Sequence, residues 1–281
     1  MRQIFPADPA SPEIGLAVPG ETGQAAPPAV LALAGLYAYP AAGTRPEPWL
    51  RANMVASADG AASLAGRSGG LSGAADRLVF SVLRSLADVI LVGASTARVE
   101  RYRPVAGREI WAALRDGRAP TPPIAVVTRE LGLDPDGPLL AGAPPEARTI
   151  VLTTAAAPAA RRAAAARHAE VIVAGPDRLT PATIIGALAE RGYRRLLTEG
   201  GPSLLTQFNE AGLLDDLCLT ISPVLEGGWA GRIHAAPAAA DQGGPAGPGA
   251  AAGPGTAARL RLAHVLEDDG SLLCRYLRGT S

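Results

Sequence analysis

The chain has 281 residues, 48% of them hydrophobic, with 26 Lys plus Arg balanced by 26 Asp plus Glu. It can therefore bury a full α/β core, and it has no net basic charge for nucleic acid or an anionic membrane. Its two cysteines, Cys218 and Cys274, lie far apart inside apolar stretches, which argues against a disulfide framework and against a zinc site. No apolar run reaches the roughly 18 residues of a membrane span, and the first residues lack the basic-then-apolar order of a secretory leader. The expectation is a cytoplasmic chain with a small-molecule substrate, no membrane or nucleic-acid partner and no bound metal.

Residues 1–45 carry many Pro, Gly and Ala without a sustained period, so an N-terminal extension is expected that wraps the surface or stays loosely ordered, with a short helix within 29–39. The main domain is expected over 46–281. Its first strand, 51–57, runs into Asn53-Met54-Val55-Ala56-Ser57-Ala58-Asp59-Gly60. Polar Asn53, Ser57 and Asp59 interrupt an apolar strand and its exit. They either hydrogen-bond a polar heterocycle or, with Gly60, form an ordinary turn. A helix over 72–87 follows, with Ser72 as cap, Asp76 in the first turn, and Leu78, Val79, Val82, Leu83 and Leu86 as one buried stripe. Arg84 falls off that stripe and is either solvated or emerges beside the ligand edge of the sheet.

The apolar strand 89–93 ends in Gly93-Ala94-Ser95-Thr96, whose hydroxyls suit a phosphate or ribose. After a helix over 106–116, the strand 124–128 ends in Thr128-Arg129. Arg129 either pairs with the 2′-phosphate of NADPH or is a surface arginine. Strands at 149–153 and 171–174 alternate with helices at 157–168 and 181–191. The strand 195–198 then meets Glu199-Gly200-Gly201 and a helix over 202–211 opened by Pro202, Ser203 and Leu204. Glycines that permit close backbone approach, ahead of a helix N-terminus with free amides, make a phosphate cradle. A plain strand-to-helix turn is the alternative. Strand 217–222 precedes an Ala/Gly/Pro-rich stretch at 235–258, expected as a flexible insertion. Strands at 259–266 and 271–277 close the chain as an antiparallel hairpin that finishes one edge.

The fold class is therefore α/β, a mostly parallel sheet with helices on both faces and a C-terminal antiparallel hairpin. Neither a GxGxxG nor a Walker pattern occurs, and the three histidines are scattered, which argues against a Rossmann fingerprint, a P-loop or a His-based triad.

Taken together, Asn53–Gly60, the Gly93–Thr96 turn and Glu199-Gly200-Gly201 resemble the reductase domain of the bifunctional riboflavin-biosynthesis deaminase-reductase and the related stand-alone pyrimidine reductases, over about 47–233 plus the final hairpin. The resemblance implies a dihydrofolate-reductase-like fold, a homodimer, and NADPH as hydride donor. It also implies reduction of a substrate such as 5-amino-6-(5-phosphoribosylamino)uracil. Carried over by position, it makes Met54, Val55, Thr96, Glu100, Thr128 and the Gly200–Leu204 loop cofactor contacts, and Ser68, Arg84 and Glu199 substrate contacts. Glu199 and Asp59 are the candidate proton donors, beside ordered water. Where the family commonly shows Asp-Asp-Pro and then Leu-Thr-x-Arg, whose Arg helps to hold the substrate phosphate, this chain reads Glu100-Arg101-Tyr102-Arg103-Pro104. Dihydrofolate reduction and a non-catalytic NADP-binding sensor are the alternative functions.

Overall fold

The computed structural model describes residues 1–6, 27–41, 43–234 and 257–279, so nearly all of the insertion expected at 235–258 lies outside the described residues. Strands are β1 (Arg2–Phe5), β2 (Trp49–Ser57), β3 (Val89–Gly93), β4 (Ile124–Val127), β5 (Ile150–Thr153), β6 (Glu170–Val173), β7 (Arg195–Thr198), β8 (Asp216–Ser222), β9 (Leu260–Asp268) and β10 (Ser271–Arg278). They form one sheet in the order β1-β9-β10-β8-β2-β7-β3-β4-β5-β6. From β8 to β6 all neighbours run parallel. The three strands beyond β8 pair antiparallel.

Helices are α1 (Pro28–Leu36), α2 (Ala74–Leu86), α3 (Ala94–Val99), α4 (Ala112–Arg115), α5 (Pro138–Ala141), α6 (Ala159–Ala166), α7 (Pro181–Ala189) and α8 (Pro202–Glu210). They cover both faces, which is why β3 is an unbroken apolar run and not an alternating one. Val89 and Leu91 pack with Ile184, Leu188, Leu204 and Phe208 of α7 and α8. Ile90 and Val92 point the other way, into a core with Leu33, Val79, Val82 and Leu83 of α1 and α2. Among the described residues no helix is long and apolar enough to cross a membrane.

Several sequence expectations shift. The edge is finished by β1 and not by the hairpin, since Arg2 and Gln3 pair with Glu267 and Leu266 on β9; four residues are too few to show a strand period. α1 is a core element, with Leu33 and Tyr37 almost fully buried. Its last carbonyls are held by two arginines from the sheet: Arg51 donates to Tyr37 O at 2.7 Å and Arg275 to Leu36 O at 2.5 Å. Both also pair with the buried Asp216, which supplies the counter-charge such burial requires.

Gly93, expected within a turn, caps α3 directly. The helix expected at 106–116 is only a 3-10 turn, Glu109–Trp111, followed by the single turn of α4, which stops where Asp116 takes a left-handed φ of 49°. Gly73, not Ser72, caps α2, and the Ser72 hydroxyl donates to Asp76.

Candidate active site

In open parallel sheets, ligands bind at the carboxyl ends of the strands, where backbone donors and helix N-termini converge. Here β2, β3 and β7 end together at a cleft of about 640 Å³. The bend after β7 is fixed to β3 on both sides: Glu199 N–H donates to Leu91 O and Gly93 N–H to Gly200 O, each at 3.0 Å. Gly200 adopts a φ of 102°, a conformation that L side chains rarely take. At Gly201 the constraint is space, because a Cβ there would lie 2.5 Å from Thr96 Oγ1. α8 starts at the next residue: Pro202 carries no N–H and the Leu204 and Leu205 N–H groups donate to Gly201 O at 3.0 and 3.1 Å, so Ser203 supplies the first-turn amide without a partner in the helix. Glycines under a helix N-terminus form a notch open to a phosphate group, so these residues fit a dinucleotide diphosphate.

Glu199 lies almost buried at the base of the cleft. Arg84 approaches it from α2 and donates twice, Nε to Oε1 and Nη2 to Oε2, both at 2.7 Å. The Tyr102 hydroxyl adds a third bond to Oε2 at 2.8 Å. Burial opposes the charge of Arg84, but the attraction and hydrogen bonds of Glu199 more than offset it and raise the guanidinium's pKa. Burial, and after it the Glu199 carboxylate, push the Tyr102 hydroxyl well above its ordinary value, so it remains a donor. Phe80 stacks under the Arg84 guanidinium at 4.1 Å and fixes its plane.

The expected site residues divide into two groups. Asn53, Met54, Val55, Ser68, Arg84, Ser95, Thr96, Glu100, Glu199, Gly200, Gly201 and Pro202 all line the cleft. Glu100 additionally accepts the Ser68 N–H at 2.9 Å, fastening that turn to the cleft wall. Gly93 lies just behind Gly201. Ser203 and Leu204 lie within α8, and Leu204 faces the core.

Ser57 and Asp59 are not in the cleft lining. The Ser57 hydroxyl donates to Asp59 at 2.5 Å, and Asp59 accepts the N–H groups of Glu226 and Gly227 at 3.2 and 2.8 Å. Those bonds, the Ser57 one foremost, lower the Asp59 carboxyl to about 2. The polar break in β2 thus fastens a loop. Thr128 accepts the Leu131 N–H, and Arg129 pairs at the surface with Glu130; neither lines the cleft.

Sequence reasoning passed over Phe80 and Tyr102. The first was legible, since Phe80 and Arg84 are four apart on one helix and must share a face. Tyr102 sits in an irregular segment with no period to reveal it. Arg101 and Arg103, its neighbours, also line the cleft and are exposed.

Against known proteins, a family model described as the RibD C-terminal domain matches residues 48–273. The 2,5-diamino-6-ribosylamino-4(3H)-pyrimidinone 5′-phosphate reductases of Archaeoglobus fulgidus and Methanothermobacter thermautotrophicus are similar to this chain. They are 29% identical over 184 residues and 30% over 181, which is 64% of this chain in each case and 83% and 80% of theirs. Among solved structures, a pyrimidine reductase-like protein from Corynebacterium diphtheriae matches with a TM-score of 0.71 at 28% identity, covering 83% of this chain and 93% of that one. RibD of Acinetobacter baumannii shares the fold at a TM-score of 0.63 and 18% identity, over 84% of this chain and 60% of that one.

Proposed function

From the premise that this chain belongs to the RibD C-terminal domain family, whose similar members above are reductases, we propose that its cleft binds NADPH and reduces a phosphorylated ribosylamino-pyrimidine of riboflavin biosynthesis. The observation that carries this reading is the pairing, in one cleft, of the Gly200–Gly201 notch with the Arg84–Glu199–Tyr102 cluster. When bound, the cofactor supplies the hydride. The protein's task is then to place the donor and acceptor atoms against each other and to keep water away.

In this reading the diphosphate lies on the N–H groups of Gly201 and Ser203 at the start of α8, and Thr96 and Met54 flank it. Glu199 accepts hydrogen bonds from the pyrimidine's amino and ring N–H groups, held in position by Arg84. Three donors already on its oxygens make it an orienting acceptor and not an acid. The Tyr102 hydroxyl donates to that carboxylate, and it is the residue we assign to hold a proton over the reacting sugar nitrogen or oxygen. Arg101 and Arg103 give the cleft wall two cations for the substrate's 5′-phosphate, in the segment where the family's usual Arg pattern is missing.

The unpaired buried thiols Cys218 and Cys274 suit the reducing cytoplasm. Leu225 and Trp229, 80% and 102% exposed on the loop that Asp59 fastens, offer an apolar surface for a second copy of the chain. Light scattering should give twice the chain mass. Following NADPH oxidation with the pyrimidinone phosphate, and separately with dihydrofolate, tests the activity. Turnover of the first alone is expected, and turnover of dihydrofolate alone would overturn the substrate assignment.

A further inference from the structure

A second cleft, of about 720 Å³, lies at the opposite rim of the sheet, where β2, β3, β4 and β7 begin. Small-molecule sites commonly have about 300–1,000 Å³. Three guanidiniums meet there around one carboxylate: Arg115 from α4, Arg118 from the turn after it, and Arg195 from the first position of β7, around Asp88.

Asp88 is already engaged by three donors. One oxygen accepts from Arg118 at 3.0 Å, and the other accepts the N–H groups of Arg194 and Arg195 at 2.9 and 2.8 Å. Arg115, 97% buried by its 3% exposure, donates only to carbonyls, those of Ser85, Ala87 and Ala119. The Arg195 guanidinium makes no hydrogen bond or ion pair among the described residues.

Closing the end of α2 explains the donors of Arg115 and Arg118, because the last carbonyls of a helix need partners. It does not explain the charge. Neither Arg115 nor Arg195 has a carboxylate within hydrogen-bonding distance among the described residues, and partly desolvated like charges close together repel one another unless an anion joins them. Burial first, then Arg118 and Arg195, push Arg115 down to about 10, and burial and Arg195 lower Arg118. Tyr39, Trp49 and Tyr193 also line the cleft, together with the carboxylates of Glu47 and Glu146 toward its outer side. Trp49 Nε1 is buried there with no hydrogen-bond partner.

We propose that this rim is a second ligand site, for a phosphate monoester that carries a flat heterocycle, of the size of a mononucleotide. The phosphate takes the free donors of Arg195, with the charges of Arg115 and Arg118 behind it, and the heterocycle lies against the aromatic side chains.

Calorimetric titration of the full chain with AMP, GMP, CMP and UMP, with NADPH present at saturation, tests it. At least one nucleotide should bind, its nucleoside should bind at least tenfold more weakly, and Arg195→Ala should weaken the nucleotide at least tenfold while leaving NADPH affinity unchanged. Arg195→Gln, which keeps most of the stem, serves as the second variant and should show the same loss. Equal nucleotide affinity in wild type and both variants, competition between nucleotide and NADPH, or no binding of any of the four would each overturn the proposal. None of these outcomes depends on whether the other cleft turns over a pyrimidine.

Discussion

Replacing Gly201 by Ala places a methyl carbon 2.5 Å from Thr96 Oγ1, where ordinary contact begins near 3.4 Å. Neither side yields easily. Thr96 is a short, β-branched residue held within α3, so its hydroxyl cannot swing away as the end of a lysine would. The bend is fastened to β3 through the bond from Gly93 N–H to Gly200 O at 3.0 Å. Overpacking of this kind costs about 1–3 kcal/mol, and its relief moves the amides assigned to the diphosphate. At about 1.4 kcal/mol per tenfold, NADPH affinity should fall roughly 5- to 140-fold. Fluorescence titration of NADPH reads the affinity, and thermal unfolding of the cofactor-free variant reads any loss of fold separately. Adding Thr96→Ala to Gly201→Ala removes the colliding oxygen, so the double variant should bind NADPH within about threefold of Thr96→Ala alone. A Gly201→Ala protein that binds NADPH within threefold of wild type would refute the placement of the diphosphate.

Four further outcomes follow from the same geometry. Glu199→Gln leaves the partly buried Arg84 guanidinium without its counter-charge. Turnover should drop at least about a hundredfold and stability by about 3 kcal/mol in urea unfolding. Tyr102→Phe removes one hydrogen bond to a carboxylate, worth about 1.5–3 kcal/mol; the protein should fold and bind NADPH normally while kcat falls at least about tenfold. Arg51→Met removes the buried partner of Asp216 and a donor to the end of α1, and should cost about 3–5 kcal/mol by the same unfolding assay. His264 is pushed down to about 4 by burial and by Arg275, so the folded protein keeps it neutral where the unfolded chain takes a proton. Its stabilising contribution is complete above the unfolded value near 6.5 and is lost as pH falls through about 4. Melting temperature should therefore drop over that window, and His264→Gln should flatten part of the drop; an unchanged slope would contradict the assignment.

The elements legible in the sequence were those whose local pattern agrees with their tertiary surroundings. β3 reads as a doubly covered strand because both of its faces meet helices. α2 reads as a helix because Leu78, Val79, Val82 and Leu83 all face one core. The Glu199-Gly200-Gly201-Pro202 bend was legible because a close approach and a helix start both leave marks on residue type. What escaped was non-local. β1 exists only through pairing with β9, more than 250 residues away in sequence. The short helix of α1 was legible but its place in the core was not, since it rests on burial of Val30 and Leu33 against α2 and on Arg51 and Arg275, which come from strands. Asp59 stays ambiguous in the sequence, because its partners, the N–H groups of Glu226 and Gly227, lie more than 160 residues away. Tyr102 carries no periodic signal, since its contact with Glu199 depends on how an irregular loop folds back over the cleft.

The central claim is that the Gly200–Gly201 notch and the Arg84–Glu199–Tyr102 cluster work together in one hydride transfer. The most direct measurement mixes enzyme, NADPH and 2,5-diamino-6-ribosylamino-4(3H)-pyrimidinone 5′-phosphate in a stopped-flow instrument and follows loss of NADPH absorbance. Wild type should oxidise one NADPH per substrate, and Glu199→Gln should bind NADPH with unchanged affinity yet oxidise it at least a hundredfold more slowly. A wild type that binds NADPH but leaves it unoxidised with saturating substrate, or a Glu199→Gln protein as fast as wild type, would contradict it.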